Sequence, residues 1–436
     1  MRRMRGWIRR RIWWIVLIVF VGAGCLVYRT DDINPPPVFV DASGHRFPGY
    51  TLKGALAKPS TSDVAQVEKV LDAHAEAVLS GDRAGFLSGD DSGRAPFVRS
   101  QRTEWQNVQR LKLSRLSYTY DGVLDPDQAF ARPAFLVHVT TTYQLKTYDS
   151  SPVVADDGFT FVQEDGAWEL AGESDADAQF EDDTQPVPWD AGAIDVYGDG
   201  QYLAVVDRGK QALARRIIAL CHRGSRDSRA LLGVADTRPT VVLASSHPTG
   251  YARFTDLDAL AVTYPLSGPD GVTPGWSVVV DPEDVEEVAA SPVVLPHEVT
   301  HLATEDYIAD VPKWLSEGAA DYVAWHKYGG LRAEMRWHHV SGALGTALPS
   351  SASFHRPDTE DLGYVEGTAA VTWLEEHRGR GAVLSLMRAF DAEGGYDVDF
   401  DPDRATAGIL EYTFAITPTA LAGSAYAELN AGTRGS

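Results

Sequence analysis

Cysteine is nearly absent from this chain, with Cys25 and Cys221 the only two in 436 residues. Two thiols cannot build a disulfide-dense scaffold or a thiolate zinc cluster, so both are excluded. Cys25 falls in an apolar N-terminal segment, which leaves Cys221 alone in the body, expected as a buried free thiol on a helix. Positive charge is also scarce. The net charge is −22, yet the first 28 residues hold six arginines and no acid, leaving 33 basic and 61 acidic residues and a balance of −28. A body this acidic is repelled by phosphate backbones, which argues against any nucleic-acid partner. Long apolar runs are limited to one, so the chain crosses a bilayer once at most. Hydrophobic residues are plentiful, at 44% with 11 Trp. That is enough to bury sizeable cores, and the length calls for two or three units.

The one apolar run is Ile12 to Tyr28, IWWIVLIVFVGAGCLVY, behind the cluster Arg2, Arg3, Arg5, Arg9, Arg10 and Arg11. It is expected to be a transmembrane signal anchor over 12–28, with residues 1–11 cytoplasmic and the body outside. A cleaved signal peptide and a lipoprotein signal ending Gly22-Ala23-Gly24-Cys25 are the alternatives, and each also places the body outside the cytoplasm. Residues 29–62, with Asn34-Pro35-Pro36-Pro37, read as a stalk.

A first domain is expected over 63–174. Val64, Val67, Val70, Leu71, Ala75 and Val78 recur at helical spacing until Ser80-Gly81-Asp82. Phe135, Val137, Val139, Thr141, Tyr143 and Leu145 alternate as one face of a strand. Glu164-Asp165-Gly166 marks a hairpin ahead of Trp168. Helix first, then long antiparallel strands, resembles the SnoaL or nuclear-transport-factor type of cone-shaped α+β domain. That likeness implies a spacer, a binding module or a small enzyme. His74 and His138 are candidate pocket groups, with ordinary partly buried histidines as the plainer reading. Residues 175–192 are acidic and contain proline, a solvated linker. From 193 to 436 short strands (Tyr202 to Val206, Thr240 to Ala244, Trp276 to Val280) and a helix from Gly209 to His222 precede a helical part from Ser291 on. The fold class is therefore α+β.

The helical part contains His297-Glu298-Val299-Thr300-His301. Two histidines four apart share one helix face, so both imidazoles can reach one metal ion, and Glu298 stands beside the first of them. Fifteen residues separate His301 from the Glu317 of Trp314-Leu315-Ser316-Glu317-Gly318-Ala319-Ala320-Asp321-Tyr322. It places Glu317 and Asp321 at i and i+4 of a second helix, among residues expected in the core. Buried acids are costly unless they are paired or bind metal. His, His and Glu leave one zinc position open, as catalytic zinc requires.

HExxH with W-L-x-E-G resembles the gluzincin metallopeptidases, and most closely the bacterial peptidase MA-like group, over residues 193–436. The resemblance implies a mixed α/β to mostly helical zincin-type domain and a bound Zn2+. It makes His297, His301 and Glu317 zinc ligands, Glu298 the general base, and Asp321 the partner of a ligand histidine. Tyr364, in Gly363-Tyr364-Val365-Glu366-Gly367 ahead of a helix from Thr368 to His377, is the candidate oxyanion donor, and interhelical packing is its alternative role. His338, His339 and His355 are other donors, read as surface residues. The spacing from His301 to Glu317 is shorter than in thermolysin, and the aminopeptidase G-x-M-x-N motif is missing, so trimming of free N-termini is not supported. Pro296 predicts a helix that begins near Pro292, capped by Ser291 and bent at Pro296. Helices from Ala382 to Phe390 and Ala420 to Asn430 are expected to cover the site.

The expected function is a membrane-anchored extracytoplasmic zinc peptidase acting on peptide or protein substrates. A catalytically inactive zincin-like envelope binding protein and a small-molecule binder using residues 63–174 are the alternatives. Oligomeric state is left open by the sequence.

Overall fold

In the computed structural model the described residues are 39–40, 46–47, 59–124, 133–173, 187–247, 259–308, 310–341, 344–356, 358–395 and 399–433. The apolar segment 12–28, most of the stalk and the acidic run 175–186 lie outside them. No helix among the described residues is long and apolar enough to cross a membrane.

Ser60 opens the first α+β unit. Its hydroxyl accepts from the Asp63 amide while Asp63 Oδ2 accepts the Ser60 amide at 2.8 Å, a reciprocal cap that starts helix α1 (Thr61–Ser80). Gly81, at φ 75°, closes it. α1 buries Val67, Leu71, Ala75 and Val78, as the spacing predicts. Helix α2 (Ala95–Leu111) was not foreseen. Its apolar residues Phe97, Trp105, Val108 and Leu111 sit among Arg and Gln, and Arg94 at its start makes no side-chain cap. Four antiparallel strands follow in sheet order: β1 (Leu113–Leu124), β2 (Ala134–Leu145), β3 (Val153–Glu164) and β4 (Ala167–Gly172). The β2 residues Phe135, Val137, Val139, Thr141, Tyr143 and Leu145 are all buried. Glu164 pairs with Ala167 across Asp165-Gly166, whose φ values of 49° and 85° are those a two-residue hairpin turn requires.

The reading of 175–192 as a solvated linker fails at its C-terminal end. Val187, Trp189 and Ala191 are buried, and Asn107 Nδ2 donates to the carbonyls of Trp189 and Gly192. The apolar residues of this stretch outweigh its acidic composition once a surface exists to cover. They join Tyr143 and Leu145 to Ile194, Leu203, Val205 and Val241 in a core that both units share.

The second unit has a mixed five-stranded sheet built from β5 (Ile194–Gly198), β6 (Tyr202–Asp207), β7 (Thr240–Ala244), β8 (Ala261–Pro265) and β9 (Trp276–Val280), in spatial order β8-β9-β7-β6-β5. β6 and β7 are parallel, joined through helix α3 (Gln211–Leu231). This helix runs past the expected end at His222 and buries Cys221 as a free thiol. β5 and β8, which the sequence reading missed, are short edge strands.

After a short helix α4 (Val285–Ala290) come α5 (Val294–Ile308), α6 (Lys313–Trp325), α7 (Gly330–Trp337) and α8 (Glu360–Arg378). Helices α9 (Ala382–Gly394), α10 (Pro402–Phe414) and α11 (Pro418–Thr433) complete the chain. α5 begins at Val294, not Pro292, and Ser291 Oγ accepts from the Val293 amide just before it. Pro296 is then its third residue, where an amide has no helical acceptor anyway, so no bend is needed. α8 starts eight residues before the expected Thr368 and includes Tyr364.

Glycine sets how these helices meet. A Cβ on Gly318 of α6 would lie 2.5 Å from the Gly367 carbonyl of α8, and one on Gly367 would lie 2.7 Å from the Trp314 carbonyl. A Cβ on Gly224 of α3 would lie 2.8 Å from Pro296 Cα of α5. The helices therefore cross backbone to backbone at these points.

Gly318→Ala is expected to cost about 1–3 kcal/mol in chemical denaturation through this overpacking. Gly423→Ala in α11, where a Cβ would meet nothing within 4 Å, should leave the midpoint unchanged or raise it. A second measurement concerns Asp90, 5% exposed with neither carboxylate oxygen hydrogen-bonded. Burial, with the charges of Glu173 and Glu169, pushes it from 3.8 up to about 7. The native state holds this proton across that window and the unfolded chain does not, so stability falls as pH rises through it. Asp90→Asn should raise the melting temperature at pH 8 and change it little at pH 4.

Candidate metal centre

α5 and α6 face each other across the site. His297 and His301 lie one turn apart on α5, with Nε2 atoms separated by 3.0 Å. Glu317 Oε2, from α6, is 3.3 Å from each of them. Ligand atoms around a tetrahedral zinc with bonds of about 2.0–2.1 Å lie roughly 3.3 Å apart, so this spacing is that of a coordination sphere. The orientation fits as well. Asp321 Oδ1 accepts from His297 Nδ1 at 2.7 Å, which fixes the tautomer and leaves the Nε2 lone pair facing His301 and Glu317. Lys313 Nζ holds the other Glu317 oxygen, Oε1, at 3.2 Å. Two imidazole nitrogens and a carboxylate oxygen thus converge on one point, an array of lone pairs that a cation would satisfy.

The electrostatics agree. Burial penalises charge on Glu317, but His301 and His297 outweigh it and hold the carboxyl well below its ordinary range. Burial likewise disfavours a charged His297, yet Asp321 and Glu317 raise it well above the usual imidazole value. Glu298 is buried and pushed upward by that burial, with the neighbouring His297 and His301 and a hydrogen bond from Thr263 working against it. Thr263 Oγ1, on edge strand β8, donates to Glu298 Oε2 at 2.7 Å and so aims the carboxylate.

The structure brings together all four residues read from HExxH and W-L-x-E-G, and Asp321 with them. Tyr364 is beside them, its ring 6.4 Å from that of His297. Burial and the Glu317 and Asp321 carboxylates push its hydroxyl well above the usual phenol range, so it remains a donor. Of the other histidines, His355 is exposed and His339 stands at φ 56° beyond the end of α7. His338 corrects the surface reading: it stacks on Tyr364 at 5.3 Å and belongs to the site. The C-terminal helices share a core with α6, where Phe390, Leu410 and Tyr426 join Trp314 and Leu315.

Three contributors escaped the sequence reading, Thr263, Lys313 and Glu334, while His338 was weighed there only as a surface donor. Lys313 had a visible signal, four residues before Glu317 on the same helix face. Thr263 had none, because its partner is 35 positions away.

No protein-family model matches the chain, and no curated protein matches it.

The first unit offers little competing chemistry. His74 is buried against Phe86 with Nε2 3.4 Å from Gln101 Oε1, and His138 pairs with Asp156 at 2.8 Å on the sheet. The cavity between Glu104, Tyr118, Asp157 and Glu173 is stopped by Trp189 and holds about 10 Å³, room for roughly one water.

Asp321→Asn should weaken metal binding at the centre by about 10- to 100-fold, because the outer nitrogen of His297 loses its charged acceptor. Competition against a chromogenic zinc chelator measures this directly.

Proposed function

We propose that this chain is a zinc-dependent peptidase of the gluzincin type, held outside the cytoplasm by an anchor at residues 12–28. In this reading the second unit is the zincin-type catalytic domain. The first is a cone-shaped domain of the SnoaL or nuclear-transport-factor kind that supports it through their shared core. The observation that carries the proposal is the convergence of His297 Nε2, His301 Nε2 and Glu317 Oε2 within 3.0–3.3 Å, beside a buried and separately oriented Glu298.

Zinc bound there would lower the pKa of a coordinated water toward about 7 and polarise a carbonyl. Glu298 takes a proton from the attacking water and passes it to the departing amine, a role its upward-shifted carboxyl suits. Asp321 keeps His297 in the ligating tautomer. Tyr364 donates to the carbonyl oxygen as charge grows on it. A purely structural metal site would have no use for Glu298 or for its Thr263 clamp, which favours catalysis over an inactive binding protein. A peptide is the fitting substrate because hydrolysing an amide needs both an activated water and a proton for the departing amine, the two tasks Glu298 would serve beside a bound cation.

Glu298→Gln is expected to abolish casein or peptide-library hydrolysis while zinc stays bound. Tyr364→Phe should lower kcat by roughly 10²- to 10³-fold with KM little changed. Wild-type protein that binds no zinc, or hydrolysis that survives chelation, would sink the proposal.

A further inference from the structure

Directly behind His297 lies a second set of ligating groups. One ligand atom each from Asp321, Glu334 and His338 fall within 4.8 Å of one another. Glu334, on α7, is 0% exposed; the Thr368 hydroxyl approaches it, but neither carboxylate oxygen meets a donor in full hydrogen-bond geometry. A buried carboxylate so weakly supplied with donors is among the most costly groups a core can hold. Asp321 spends Oδ1 on His297. His338 is prepared as a ligand in the same way as His297: Asp361 Oδ1 lies 2.9 Å from its Nδ1, which places the proton there and leaves the Nε2 lone pair available.

Charge balance points in the same direction. Glu298, Glu317, Asp321 and Glu334 are four buried carboxylates in one contiguous group. One divalent ion at the histidine centre and the half-exposed Lys313 leave a buried negative charge uncompensated. Two carboxylates and an imidazole form the mixed oxygen and nitrogen donor set that Zn2+ or Mn2+ accepts.

We infer that Asp321, Glu334 and His338 form a second divalent-cation site, linked to the histidine centre through the Asp321 carboxylate. The site goes beyond the peptidase reading and does not need hydrolysis to exist. An ion there draws on the same carboxylate that orients His297, so its occupancy tunes the neighbouring centre.

The test is a metal count on the full chain. Protein stripped with a chelator is equilibrated with excess Zn2+, and in a parallel arm with Mn2+, then freed of loose metal and analysed by elemental mass spectrometry. Two ions per chain are expected for the wild type in at least one arm. One is expected in that arm for Glu334→Gln, for His338→Phe (which keeps a ring against Tyr364) and for His301→Ala, which removes the first centre instead. A wild-type count of one in both arms, unchanged by Glu334→Gln and lost in His301→Ala, would overturn the second site and leave the histidine centre standing; Glu334 and Asp321 would then share a proton. Two ions persisting in both Glu334→Gln and His338→Phe would also overturn it, by placing the second ion elsewhere. A wild-type count of zero would remove both centres.

Discussion

The arrangement of this site depends on one steric constraint, the backbone contact between α6 and α8 at Gly318 and Gly367. Glu317 immediately precedes Gly318, so the depth to which α6 sinks against α8 sets where its carboxylate ends up. A methyl group at either glycine would meet backbone at 2.5–2.7 Å, so the helices would separate by about 1 Å, several times the ~0.2 Å tolerance of a metal–ligand distance. The same contact brings Tyr364, one turn before Gly367, within 6.4 Å of His297. Gly224 plays the matching part on the other side by letting α3 lie against Pro296. The candidate metal centre is thus held between two glycine crossings, and the placing of its side chains comes from close packing.

Burial follows from that packing and brings an electrostatic demand with it. Glu298, Glu317, Asp321 and Glu334 are all under 10% exposed, in a region otherwise lined by Trp314, Leu315, Ala319 and Val323. Each acid needs a partner of opposite charge or a donor. Glu317 has two imidazoles and Lys313, Asp321 has His297, and Glu298 has Thr263. Glu334 has only the poorly aligned Thr368 hydroxyl, which is why a second cation is assigned beside it.

The first unit contributes rigidity. Val187 and Trp189 close its small cavity and simultaneously cover the sheet of the second unit, so the two units stand on a common core. Composition hid this, because the acidic residues around VPW dominate a windowed reading while the buried side chains of Val187 and Trp189 decide the structure. Period-two alternation in β2 and the Asp-Gly turn before β4 were legible, since both depend on local pairing. α2 and the edge strands β5 and β8 were not, because polar residues dilute the pattern of the first and the other two are only five residues long.

By itself the sequence determined that two histidines share one helix face and that a Glu and an Asp four apart share another, the makings of a candidate metal centre. Spacing along a helix is local geometry, and 3.6 residues per turn translates it directly into shared faces. Only the tertiary structure decided which atoms meet across elements: Thr263 on Glu298, Glu334 and His338 behind Asp321, and Tyr364 beside His297. These contacts join residues 13 to 67 positions apart in the chain, through helix crossings and a sheet edge that no local periodicity encodes.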